Sequence, residues 1–231
     1  MKGFLFFDPL KRLDFIVHGF STKPQGFKTA EEAMAGLGLD DFPSVVPKQV
    51  HGTDIVFADD GKVPVRPVAD GAITKTLGIV LVVKVADCVP IYLVDPRTPA
   101  IGLIHAGWRG ASQAIANKAV LRMQEVFGTD PRDLVVALGP SIQECCYEVG
   151  KEVAICFPES VRRRRGEKWH LNLAGANTLD LVKAGVLSEN INTSTPCTSC
   201  NAKRFYSYRR DQRIAGRHYA VLALSKVQGR S

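Results

Sequence analysis

The stretch "LGIVLVVKVADCVPIYLVDP", residues 77–96, limits the fold more than any other part of the chain. Two runs of β-branched and aliphatic residues flank a break at Ala86, Asp87 and Cys88. Such continuous apolar runs, bounded by turn signals, read as strands buried on both faces. Lys84 and Asp87 interrupt the stretch, which argues against a membrane span. A carboxylate and a thiol thus stand between two buried strands, and a function has to account for them.

The rest of the chain mixes strands and helices. Residues 15–22 read as a strand ending in a turn, and 29–39 as a short helix with Thr29 as N-cap. Residues 44–59 read as two strand pieces around Gly52, and "DPRTP" at 95–99 as a turn before the strand "AIGLIHAG". A helix is predicted over 110–128 with Gly128 as its stop, and another over 170–186 with Gly185 near its end. "LVVALGPSI" reads as a strand and "EVAICFP" as a short helix. "RFYSYRRD" and "RHYAVLALS" read as closing strands across a turn at Gly216. Without regular β-α alternation, the order favours an α+β fold, and no linker divides residues 1–231 into more than a single domain.

The formal net charge of +7 favours general anion attraction. "RRRR" at Arg162–Arg165 has no interleaved aromatics and no nucleic-acid motif beside it, so it reads as a solvated surface. The N-terminus lacks the apolar length and cleavage site of a signal peptide, which points to the cytoplasm. There the six cysteines are expected as thiols or ligands rather than disulfides. Cys197 and Cys200 form a C-x-x-C, but the adjacent Cys145 and Cys146 are an awkward second pair for a Cys₄ zinc site.

Two of the five histidines, His51 in "KQVHG" and His105 in "LIHAGWRG", end strand-like runs just before glycine. Cys88 ends a third. Strand ends of this kind converge at one rim of a sheet. His51, Cys88 and His105 would there suit Zn²⁺ with an open fourth position, the catalytic arrangement. Two other readings stay open. Cys88 and His105 would also serve as a thiolate–imidazole nucleophile pair. Alternatively, the histidines cap strands and Cys88 is a small buried hydrophobe.

Taken together, "HGFST", "KQVHGTDI", "ADGAIT", "VADCVPIYLVDP", "GLIHAGWRGA", "LGPSIQECCYEVG" and "CTSCNAKRFYSYRRD…AGRHYAVLAL" resemble the YfiH/YlmD family almost end to end. After "HGFST" this chain has "KPQGF" where the family has a Gly-Gly turn. The resemblance implies mixed sheets in layers flanked by helices, a fold also compared with cysteine hydrolases. It implies metal ligands at His51, Cys88 and His105. It also implies zinc-dependent purine nucleoside chemistry: phosphorolysis of adenosine, inosine, guanosine and 5′-methylthioadenosine, and deamination of adenosine. The partners would be purine nucleosides and phosphate, with no nucleic acid or membrane, in a chain expected to be a monomer.

The family's older laccase label needs a type-1 copper site plus a separate histidine cluster, which five scattered histidines cannot build, although Cu²⁺ suits the single site. A metal- or nucleoside-binding protein without turnover is a further alternative. For deamination, Cys88 and His105 are joined by Asp70 as the expected proton shuttle, from a turn-like setting free to point into a cleft. Asp87 is expected to orient a metal-bound histidine. Lys48 and Arg109 flank two of the expected ligands and are expected to face phosphate. Tyr147 is expected to stack on a purine, and Arg209 or Arg210 to face the same cleft.

Overall fold

The computed structural model describes residues 3–59 and 66–225. Two sheets stack face to face. The first runs Phe4–Leu5, Ile16–Ser21, His218–Leu224, Val80–Val85, Ser44–Val45 in spatial order. The second runs Ile191–Thr193, Val135–Leu138, Val89–Asp95, Ala100–Ala106, Gly71–Thr74, Ile55–Phe57. Both mix parallel and antiparallel pairs, so the α+β expectation is met.

The two apolar runs of residues 77–96 lie in different sheets, and the chain crosses between them at Ala86–Cys88. Alternation along each strand fills three apolar layers. Leu81, Val83 and Val85 face Tyr92, Val94, Ile101 and Leu103 between the sheets. Val80 and Val82 face outward against Ala33 and Met34 of the helix Ala30–Ala35. Ile91, Leu93 and Ile104 pack against Ile115, Ala119 and Met123 of the helix Ile115–Phe127, and against the helix Leu173–Lys183. Both faces of each central strand are therefore covered, which is why these runs are continuous rather than alternating. None of the described helices is long and apolar enough to cross a membrane.

Local chemistry sets most element ends. Thr29 accepts the Glu32 N–H at 3.2 Å as the N-cap, and Gly128 closes its helix at φ 72°. Three expectations need correction. The helix read over 110–128 is broken into Trp108–Ser112 and Ile115–Phe127 by Ala114, which stands at φ 58°. His170 and Leu171 end the strand Lys168–Leu171, and the helix starts after Asn172, whose side chain accepts the Gly175 N–H. "RFYSYRRD" is not a strand: Ser207 caps a short helix, Tyr208–Asp211. The four arginines form the strand Arg162–Arg165, exposed over most of its length, in a small third sheet with Lys168–Leu171 and Glu148–Val149.

Two buried histidines serve as neutral hydrogen-bonding groups. His18 Nε2 accepts the Phe7 N–H at 3.0 Å. His218 Nε2 accepts the Tyr206 N–H at 2.8 Å, while its Nδ1 bonds Ser21 O at 2.7 Å. Burial is the leading cause that holds both imidazoles down to about 4. An unfolded imidazole titrates near 6.5. The stability gained from these neutral rings is therefore complete above pH 6.5 and is lost as pH falls from there towards about 4, up to ~3 kcal/mol per ring. Urea unfolding should show a decline across that window. His218→Phe should remove its share of the decline and cost about 1–3 kcal/mol at neutral pH by orphaning the Tyr206 amide.

Candidate metal centre

Strand register brings the site together. Val89–Asp95 runs antiparallel to Ala100–Ala106, with Pro90 opposite His105, so Cys88 and His105 meet at one rim of the second sheet. Gly71–Thr74 and Ile55–Phe57 begin at the same rim, since Ile55 pairs with Gly71 and Gly71 with Ile104. His51 lies in the turn that precedes Ile55. The ligand-type atoms of His51, Cys88 and His105 all lie within 4.8 Å of one another. The rings of His51 and His105 are edge to face, with centroids 4.8 Å apart.

Asp70 lies beneath this trio and is fully buried. Its carboxylate accepts His105 Nδ1–H at 2.8 Å and the backbone N–H groups of Val50, His51 and Gly52 at 3.2, 2.9 and 2.6 Å. Burial alone would raise its pKa, but the bonds from His105 and Gly52 outweigh it and hold the carboxyl below its usual range. One carboxylate thus fixes the His105 tautomer, leaves Nε2 facing the thiol, and pins His51 at φ 61°. The expected turn-like freedom of Asp70 to reach into a cleft is not what the fold provides, because every contact above points inward.

Asp87 is also occupied elsewhere. At φ 83° it turns the chain between the sheets. Its carboxylate accepts Thr198 Oγ1–H at 2.6 Å, Ser207 Oγ–H at 3.0 Å and the Arg209 N–H at 2.6 Å. No histidine is among these partners, so its expected role of orienting one is not the geometry found. It anchors the C-terminal segment over the rim instead.

The glycines of "HAGWRG" are needed for close approach. A Cβ on Gly107 would stand 2.8 Å from His51 Cδ2 and 3.2 Å from Cys88 Sγ. A Cβ on Gly110 would stand 2.8 Å from Gly52 O. Cys88 is half-buried. Burial disfavours its thiolate, but the His105 charge and bonds from His105 and His51 reverse that and hold the thiol down to about 6. His105 is correspondingly raised despite its burial, by the Cys88 charge and the Asp70 bond.

The trio opens into a cavity of about 1200 Å³. Lys48, Arg109, Tyr147 and Arg209, all expected near substrate, line it; Asp70 does not. Arg210 turns away, bonding Asp211 and the carbonyls of Thr198, Ser199 and Phe205. Arg66, Lys84, Trp108 and Arg217 also line the cavity and went unread in the sequence. Trp108 stood inside a quoted motif, whereas nothing local distinguished Arg66, Lys84 or Arg217. None of the six basic side chains forms a salt bridge with a described carboxylate. Arg109 lies over the Trp108 ring at 4.5 Å and Arg209 over Tyr147 at 5.3 Å. Arg209 also donates to Cys146 O at 3.1 Å.

The chain is similar to known proteins over most of its length. "Purine nucleoside phosphorylase YlmD" of Geobacillus stearothermophilus is 39% identical over 191 residues, which is 76% of this chain and 70% of that one. "Adenosine deaminase RL5" from an unknown prokaryotic organism is 37% identical over 191 residues, 76% of this chain and 72% of its own. The crystal structure of YlmD from G. stearothermophilus superposes with a TM-score of 0.89 at 30% identity, covering 97% of each chain. Residues 21–225 match the family model described as multi-copper polyphenol oxidoreductase laccase, and the chain belongs to that family.

Proposed function

We propose that this chain is a purine nucleoside enzyme built on one metal ion, Zn²⁺, held by His51, Cys88 and His105. The reading takes in phosphorolysis of adenosine, inosine, guanosine and 5′-methylthioadenosine, and deamination of adenosine. The observation that carries it is an N/S/N trio in a cavity lined by six Lys and Arg side chains that pair with no described carboxylate. Relatives named for a phosphorylase and for a deaminase support both activities.

The donor set fits one borderline-soft cation: two imidazoles, a thiol already biased to thiolate, and a glycine that leaves room beside them. It does not fit several coppers. Of the five histidines, His18 and His218 are committed to backbone groups in the core and His170 Nδ1 bonds Glu144 O. That leaves at most three histidines, and His170 lies in neither ligand group, too few for a type-1 site plus a histidine cluster. When bound, the ion supplies Lewis acidity at a position left open to the cavity.

The chain's own residues do the rest. Arg109 and Lys48 neutralise phosphate, with Arg109 pre-oriented on Trp108. In phosphorolysis a phosphate oxygen bonds to C1′ as the C1′–N9 bond breaks, and N9 takes the electron pair and a proton. The Tyr147 ring, backed by Arg209, offers a face for the purine. Asp70 acts as a positioning residue through His105 and His51, not as a shuttle.

A second reading has one observation in its favour. The Cys88 thiol, held down to about 6, lies beside the His105 imidazole, which is also the arrangement that activates a nucleophilic cysteine. It predicts activity that survives chelation and is lost on alkylation of Cys88.

Incubation with adenosine and phosphate should yield adenine with ribose 1-phosphate, and inosine with ammonia, and a chelator should stop both. No turnover of any of the four nucleosides with zinc supplied would overturn the proposal. His105→Ala should abolish both reactions. Asp70→Asn should weaken metal affinity by about 10–100-fold; a variant that keeps its metal but loses kcat would restore Asp70 as a shuttle. Arg109→Ala should raise KM for phosphate about tenfold or more while leaving deamination nearly unchanged, and an unaltered phosphate KM would remove Arg109 from the anion site.

A further inference from the structure

We propose a second metal site, a closed structural Zn²⁺ centre formed by Cys145, Cys146, Cys197 and Cys200. It rests on sulfur geometry and is independent of the nucleoside reading. The four Sγ atoms lie within 4.8 Å of one another. Cys145–Cys146, Cys145–Cys200 and Cys146–Cys200 are 3.8, 3.6 and 3.3 Å apart. A tetrahedron of thiolates around Zn²⁺ at ~2.3 Å has edges of ~3.8 Å. All four are free thiols. A disulfide would use two of them and leave two without a role, whereas one ion uses all four.

The backbone explains how adjacent cysteines serve one ion. The N–H groups of Cys146 and Tyr147 both bond Gln143 O, so the chain turns tightly and delivers both sulfurs to one side. The Gln143 N–H donates to Cys197 Sγ at 3.4 Å, tying the two loops together beside the cluster. Amide donors around a sulfur stabilise its thiolate. The Arg210 guanidinium, ion-paired with Asp211, bonds the carbonyls of Thr198 and Ser199 and so holds the loop that carries Cys197 and Cys200.

The fold supplies a reason for such a staple. The Cys145–Cys146 loop follows Val135–Leu138, and the Cys197–Cys200 loop follows Ile191–Thr193. These strands pair in parallel over three residues at a sheet edge. The second loop buries little apolar surface besides Cys197 and Phe205. Yet it carries Thr198 and leads to Ser207 and Arg209, the three groups that bind Asp87. The ion would fix the wall of the cavity on which Tyr147 and Arg209 stand, with no open position for chemistry.

The test uses the full chain purified under reducing conditions. Elemental analysis of Cys88→Ala, which disables the first site, should find one zinc per chain, and Cys88→Ala with Cys200→Ser should find none. In the unmodified protein, iodoacetamide with peptide mapping should label exposed Cys156 while sparing Cys145, Cys146 and Cys200, although Cys145 and Cys200 are also exposed. A strong chelator should open all of them. The mapping needs no substitution, so it holds even if the serine variant misfolds. Zinc-free Cys88→Ala, labelling of the cluster as fast as Cys156, or an intact mass showing a disulfide among the four would each overturn the site. Neither readout depends on nucleoside turnover, so failure here is separable from failure of the proposed activity.

Discussion

The site is organised by a single buried carboxylate. Asp70 receives four N–H groups, three from the turn that holds His51 and one from the His105 ring. A buried charge is tolerated only when its lone pairs are used, and a turn with three amides aimed inward is stable only around an anion. Each requirement satisfies the other. The same bonds join two regions 54 positions apart in the chain, so the trio is held by the architecture of the rim and not by flexible side chains seeking an ion.

Asp87 repeats the device at the other wall. It sits where the chain passes from one sheet to the next, and it gathers Thr198, Ser207 and the Arg209 amide from far along the chain. Both carboxylates spend their lone pairs on these anchors; of the two only Asp87 is part of the cavity lining, which also carries six Lys and Arg side chains. Such an arrangement keeps positive potential directed at a ligand, because the nearest acids are already saturated by hydrogen bonds.

These two carboxylates also show where sequence reading stopped. The buried strands were legible from their continuous β-branched runs, because both faces are covered and no polar alternation is needed. That the runs lie in different sheets was not legible, since periodicity reports burial and not partners. His51, Cys88 and His105 were singled out as ends of strand-like runs, the histidines near glycine; only His105 lies in a strand, His51 sits in a turn and Cys88 precedes Val89–Asp95, while Gly107 and Gly110 proved to be contacts that a Cβ would block. Which aspartate supports them depends on which backbone amides lie unpaired nearby, and no local pattern records that. "FYSYRRD" misled for a similar reason. Its alternating aromatics imitate a strand, while Ser207 capping Arg210 N–H turns the chain into a helix. The cysteine cluster joins residues 145 and 200, and only the parallel pairing of two short strands places them side by side.

The surplus of positive charge acquires a location. The arginine-rich strand spends part of its charge on its own surface, where Arg163 and Arg165 reach Glu144 at 3.4 and 3.3 Å. Exposed pairs of this kind are worth little in stability, about 0–1 kcal/mol. The cations around the cavity are different. Arg109 stacks on Trp108, and Arg209 stacks on Tyr147 and bonds Cys146 O, so these two are oriented without pairing with a described carboxylate. Six Lys and Arg side chains directed at one space repel one another, and an incoming anion relieves that cost. An anion that reaches several of these cations at once gains more from them than one that reaches a single cation at the rim.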